Sequence, residues 1–177
     1  KTHTLSISDS DVLESLRMLH CLYKHLNNAK HERGALNIEL GAQRLLFDED
    51  QQLCGIEETE SLDSHRAIEE CMILANVAAA KYLSTHNLEG LYRVHEHPAE
   101  DKCSALSDLL HSYGLGDSLG GLSHPKEFSS VLKEAKNRED RRVIEIAVLR
   151  SMRLAAYSSV DAGHFGLALE SYTHFTS

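Results

Sequence analysis

SHRAIEECMILANVAAAKYL, residues 64–83, is the stretch on which the fold class turns. Asp63-Ser64 supplies cap chemistry. Ile68, Cys71, Met72, Ile73 and Leu74, with a run of Ala, then leave almost no polar side, so the composition predicts a buried helix from about residue 63 to 85. Glu69 and Asn76 interrupt that character. They stand seven residues apart, nearly two turns, and so project from one face, with Ala80 continuing the stripe. A buried carboxylate without partners is expensive, so Glu69 is expected to be paired, hydrated or functional. Position offers a plainer account: Glu69 and Glu70 are early acids near the positive end of the helix dipole, with Arg66 one turn away. Asn76 lies deeper and needs a hydrogen-bond partner or a water-lined cleft. The expectation is a narrow, shallow stripe facing a wet channel.

Outward from this helix the chain alternates helical and extended patterns. Leu13, Leu16, Leu19, Leu22, Tyr23 and Leu26 recur at helical spacing after Ser8-Asp9-Ser10, predicting an amphipathic helix over 11–32 that Gly34 ends. Residues 44–47 and 53–56 flank Asp48-Glu49-Asp50-Gln51-Gln52, a β-hairpin pattern whose acidic tip reads as a solvated turn. GLYRVH, residues 90–95, alternates as a short strand does. Pro98 opens a helix to about 112, and residues 114–121 form a loop with four glycines. Two more helices are expected from Pro125 to about 136 and from 139 to about 154. Tyr157 and the final stretch, 163–177, read as extended chain. There are no internal repeats. The fold class is α+β, helix-rich, with a β-hairpin and short strands.

At 177 residues and 42% apolar, the chain is long enough for one domain with a core. The run from Cys71 to Ala80, broken by Asn76, is too short to cross a bilayer, so no membrane contact is expected. Cys21, Cys54, Cys71 and Cys103 contain no C-x-x-C pair. This argues against a zinc site and for a reduced, cytoplasmic compartment, with Cys21 and Cys71 acting as small hydrophobes. A net charge of −9 argues against a simple nucleic-acid-coating protein. KTHTLSISDSD carries neither an apolar leader nor an initiating Met, so a piece trimmed or excised from a longer chain is expected.

His95-Glu96-His97 places two imidazoles on one side of an extended segment, an arrangement that suits a metal, but no third ligand can be placed. Twelve scattered His residues allow many Ser/His/Asp triads on paper, and no G-x-S-x-G supports one. Residues 133–142 mix charges as a solvated helix junction does. There is no P-loop and no dinucleotide fingerprint.

HRAIEECMILANVAAAKYL, then LYRVHE, then LRSM with AAYSS, and finally GHFGLALESYTHFTS, taken with ERGAL after the first helix, resemble the RNB catalytic domain of the ribonuclease II and ribonuclease R family, the ribonuclease R branch most. The resemblance runs in order from about Leu19 to Ser177. It implies a 3′→5′ exoribonuclease that processively hydrolyses single-stranded RNA to nucleoside 5′-monophosphates with Mg²⁺. In the family the closing motif continues Pro-Ile-Arg-Arg-Tyr, and an Asp-rich metal motif lies well upstream. Neither stands in this sequence. The resemblance therefore implies a partial RNB domain over 1–177, holding no catalytic or metal-binding residue, inactive alone, and joined in the intact protein to its remaining domains. By likeness, Glu69 lines the RNA cavity, with Asn76 beside it on the helix. Tyr92, Arg93 and His95 lie on the following strand, and His164, Tyr172, His174, Thr176 and Ser177 lie near the substrate path. A family Phe that stacks on a base is replaced by Ile38, which offers an apolar wall and no π face. Two further readings stand beside this one: a non-catalytic RNA-binding or protein-interaction module with the same fold, and an enzyme using His95 and His97 to hold a metal.

Overall fold

The computed structural model describes residues 9–38, 42–59, 62–115 and 121–175. Helix α1 spans Ser10–Arg33. Asp9 caps it, its Oδ1 accepting from the backbone N–H of Asp11 (2.9 Å) and Val12 (3.3 Å). Gly34 ends it at φ 84°, and a Cβ there would also collide with Lys126, so both conformation and close approach require glycine. Strands β1 (Ala42–Phe47) and β2 (Leu53–Thr59) form the expected antiparallel hairpin, pairing Leu45 with Ile56, with an irregularity between Leu46 and Phe47. At its tip Asp48 Oδ1 accepts from the N–H of Asp50 and Gln52, so the acidic turn is held by its own backbone.

Helix α2 (Asp63–Thr85) follows, then strand β3 (Tyr92–Val94) and helices α3 (Glu100–Ser112), α4 (Pro125–Ala135) and α5 (Arg141–Ser151). Pro125 occupies the first turn of α4, where its missing N–H costs nothing, and His124 and Glu127 close a reciprocal capping box. The main core lies among α3, α4 and α5. It is built from Leu106, Leu110, Phe128, Val131, Ile144 and Val148, each nearly or fully buried, with Leu36 and Phe165 packed against it. A smaller cluster joins Ala80 of α2 to Tyr92 and Val94. Strand β4 (Ala156–Ser158) pairs antiparallel with β3, placing Tyr157 opposite Arg93, and Thr173 bridges to Tyr92 on the other side.

Several expectations change. α2 is not buried throughout: Ile68, Leu74 and Tyr82 are exposed, because neighbouring elements cover only part of its circumference. α1 buries Tyr23 alone, and its Leu16, Leu22 and Cys21 are exposed, so Cys21 is not a core residue. The last helix stops at Ser151, leaving Leu154 in solvent. The closing motif is not a strand. Phe165–Leu167 form a 3₁₀ turn, with Ala168 in the left-handed region at φ 52°.

That motif ties three parts of the chain together. Gly166 C=O accepts from Leu36 N–H, Gly166 N–H donates to His95 Nδ1, and the Phe165 ring packs edge-to-face on Phe128 at 5.5 Å. A Cβ on Gly166 would meet His95 Nδ1 at 2.8 Å, which explains the glycine.

Candidate functional site

Glu69 and Glu70 diverge because adjacent residues on a helix point about 100° apart. Glu70 turns inward and is buried, its carboxylate 2.8 Å from Lys30 Nζ of α1. Glu69 stays exposed, 3.7 Å from the same ammonium. The stripe therefore carries two roles, one holding helices together and one facing solvent. Glu69 stands where two depressions meet. The larger, about 680 Å³, is lined by α1, α2, α4 and α5 and by the segment containing Ile38, which is half-buried against the helical core. Among the cations on its wall, Lys30 is committed to Glu70 and Arg141 to Glu145 (2.7 Å). Lys133 and Lys136 make no ion pair among the described residues, so positive charge is left facing the cavity of an otherwise acidic chain.

The smaller depression, about 360 Å³ and mostly apolar, runs along α2 past Ile68 and Met72 to Tyr172 and His174. Asn76 lies against it but does not face water. It is 1% exposed, its Nδ2 donates to Tyr172 Oη (3.0 Å), and its Oδ1 accepts from Phe175 N–H (3.2 Å). The expected wet stripe thus holds for Glu69 and not for Asn76, because the returning C-terminal segment satisfies the amide and covers it. Tyr92 and Tyr172 are likewise buried. Arg93 and His174 reach the surface, and both meet Tyr157: the Arg93 guanidinium carbon lies 4.7 Å from the Tyr157 ring centre, and Tyr157 Oη bonds His174 Nδ1 at 2.9 Å. Thr176 and Ser177 lie outside the described residues.

His95 and His164 meet at 5.1 Å between ring centres. Each Nδ1 accepts a backbone N–H, from Gly166 and Leu167 respectively, which fixes both rings as neutral Nε2–H tautomers. Burial, then the repulsion between protons on His164 and neighbouring His95, which disfavours charging the pair, pushes His164 down to about 4. His95 is also lowered, chiefly by burial, with the Arg153 backbone opposing the shift.

The proposed His95/His97 metal pair does not form. Both ring nitrogens of His97 face carbonyl oxygens, of Pro98 (2.6 Å) and Ser123 (2.7 Å). Nor do the described residues gather three or more His, Cys, Asp or Glu side chains around any point that would hold an ion, so the residues present do not fit a Mg²⁺ centre.

Residues 2–177 of the sequence match the RNB domain. The chain belongs to the RNB domain family. It is 38% identical over 185 aligned residues to ribonuclease R of Vibrio cholerae, a match covering all of this chain and 22% of that protein. Its fold superposes on Mycoplasma genitalium RNase R in the apo form with a TM-score of 0.90, at 24% identity, over 98% of this chain and 27% of the other. The same enzyme in complex with ribose-methylated single-stranded RNA gives 0.89 at the same identity and coverage. This RNB segment spans about a fifth of the length of the curated relative it matches. Among its described residues no helix is long and apolar enough to cross a membrane. Lys133 and Lys136 escape the sequence reading because a mixed charge run looks the same whether it faces solvent or a cavity. Tyr157 escapes because its partners lie on two other segments.

Proposed function

We propose that the protein carrying this segment is a Mg²⁺-dependent, processive 3′→5′ exoribonuclease of the cytoplasm, and that the segment forms part of the wall of its RNA channel. The observation that carries this reading is Glu69, exposed at the meeting of a cavity with two uncommitted lysines and an apolar groove, within a chain of the RNB family. A single strand needs positive charge for its backbone and apolar or aromatic surface for its bases, and the two depressions offer one each. Glu69 supplies an acceptor between them, suited to a sugar hydroxyl, while it repels a phosphate and so sets the register of the strand. The cysteines of the chain are unpaired, in keeping with a reducing compartment. Hydrolysis by this chemistry requires carboxylates gathered around metal ions, a cluster the described residues do not form, so the segment is assigned to binding and orienting RNA and not to cleaving it.

The test uses a 5′-labelled single-stranded RNA. The intact protein is expected to shorten it from the 3′ end, releasing nucleoside 5′-monophosphates in a Mg²⁺-dependent reaction that Glu69→Ala slows. The isolated 177-residue chain is expected to release none. Mononucleotide release by the isolated chain, or shortening from the 5′ end by the intact protein, overturns the reading.

A further inference from the structure

We propose that Tyr157 and His174 together form a stacking surface for one nucleobase of a bound single-stranded RNA, with Arg93 as its support; this rests on the RNA-channel reading above. The two rings are parallel within 5° and joined edge to edge by the hydrogen bond between Tyr157 Oη and His174 Nδ1. With ring centres 6.3 Å apart and a 2.9 Å bond between their rims, the two rings lie side by side in the same orientation and offer two parallel faces within the reach of one base. One face of Tyr157 is covered by Arg93, its cross-strand partner in the β3–β4 ribbon. Tyr157 is nonetheless 56% exposed, so Arg93 covers only part of it and surface stays open beside the cation.

Three features separate this arrangement from an ordinary surface aromatic. Its rigidity comes from elements on three distant segments: β3 holds Arg93, β4 holds Tyr157, and the residues after the closing motif hold His174. Arg93 N–H donates to Tyr172 C=O, which fixes the third segment against the first. Arg93 also makes no ion pair among the described residues, so its charge remains available at the rim of the platform, within a nucleotide's length of a stacked base. Finally, His174 lines the apolar groove that runs along α2 to Glu69, so the platform continues the surface assigned to RNA. Every base has a π face, and an open aromatic plane backed by a cation is the chemistry that receives one without regard to sequence.

The test scans abasic substitutions along a single-stranded RNA bound to the intact protein. In the wild type one position is expected to lose about 5- to 100-fold in affinity when its base is removed. In Tyr157→Leu, which keeps an apolar side chain and loses the π face, that position is expected to become insensitive while the others keep their profile. Tyr157→Phe restores most of the sensitivity. His174→Leu, a second variant on a different segment, reduces it. An abasic profile identical in wild type and Tyr157→Leu, with RNA binding and mononucleotide release intact, overturns the platform and leaves the channel reading standing. Failure of the wild type to bind RNA overturns both.

Discussion

His164 accepts a backbone N–H at Nδ1 and sits against His95 and Tyr172 with little water, so a proton on its ring loses a hydrogen bond and is poorly solvated. Its folded value of about 4 lies below the ordinary 6.5, so the unfolded chain takes up the proton first. Stability from this residue is fully present above about pH 6.5 and falls as the pH drops toward 4. The unfolding midpoint in denaturant is expected to decline over that window. In His164→Asn, whose Oδ1 keeps an acceptor near the place of Nδ1, the decline is expected to flatten; an unchanged slope refutes the assignment. The sequence shows the His but not its burial, because the residues that desolvate it lie on β3 and on the strand-like return at Tyr172. Asn76 teaches the same lesson in reverse. A mid-helix amide announces that it needs partners, and periodicity cannot tell water from the Tyr172 hydroxyl and the Phe175 N–H that it actually meets. Helix geometry tells from the sequence that Glu69 and Glu70 diverge, but which of them is buried depends on where Lys30 of α1 arrives.

Helices α1 and α2 are joined by a buried ion pair, which makes their contact sensitive to a single change. Glu70 is 4% exposed and Lys30 13%. Lys30→Met leaves the carboxylate buried without its cation and is expected to destabilise the fold by about 3–5 kcal/mol, measured by chemical denaturation. Lys30→Met with Glu70→Leu, which removes both charges, is expected to recover most of that loss. A double variant no more stable than the single one refutes the pairing. The Lys30–Glu69 contact at 3.7 Å, with Glu69 exposed, adds little by comparison. Element boundaries were largely readable. Asp9, Gly34 and Pro125 are local punctuation, and each marks its helix end within a residue or two of where the sequence puts it; α2 also begins at Asp63, but Leu62 takes the cap position and the expected Asp63-Ser64 cap bond does not form. The closing motif was misread as a strand because GHFGLAL has alternating apolar residues. Gly166 instead lets the turn press against His95, a demand invisible to local patterning. The full burial expected of α2 fails for a related reason: apolar composition records what a helix is able to cover, and not how many neighbours arrive to cover it.

Among the described residues, large apolar side chains stand in solvent on two elements: Val12, Leu16, Met18 and Leu22 along α1, and Leu45, Phe47, Leu53 and Ile56 on the hairpin. The isolated chain is therefore expected to self-associate, its weight-average mass in light scattering rising with concentration, and Met18→Glu with Phe47→Glu is expected to suppress the rise. A constant monomer mass at high concentration contradicts this. Overall class, a helix-rich α+β segment, was legible from composition and period. The split into a large core among α3, α4 and α5 and a small one under β3 was not, because both depend on which distant segments meet. The tie between the closing turn and the start of the chain has a consequence for synthesis. Arg33 Nε reaches Leu167 C=O across 134 positions, and Gly166 reaches back 71 to His95. At about 5–20 residues per second, the exit of α1 waits on the order of ten seconds on the ribosome for the turn that will hold it. Local helices have long since formed by then, and α1 already meets α2 through Lys30 and Glu70, so the turn is a late latch thrown from a distant position, and a nascent chain stalled before Phe165 is left with the exit of its first helix unfastened.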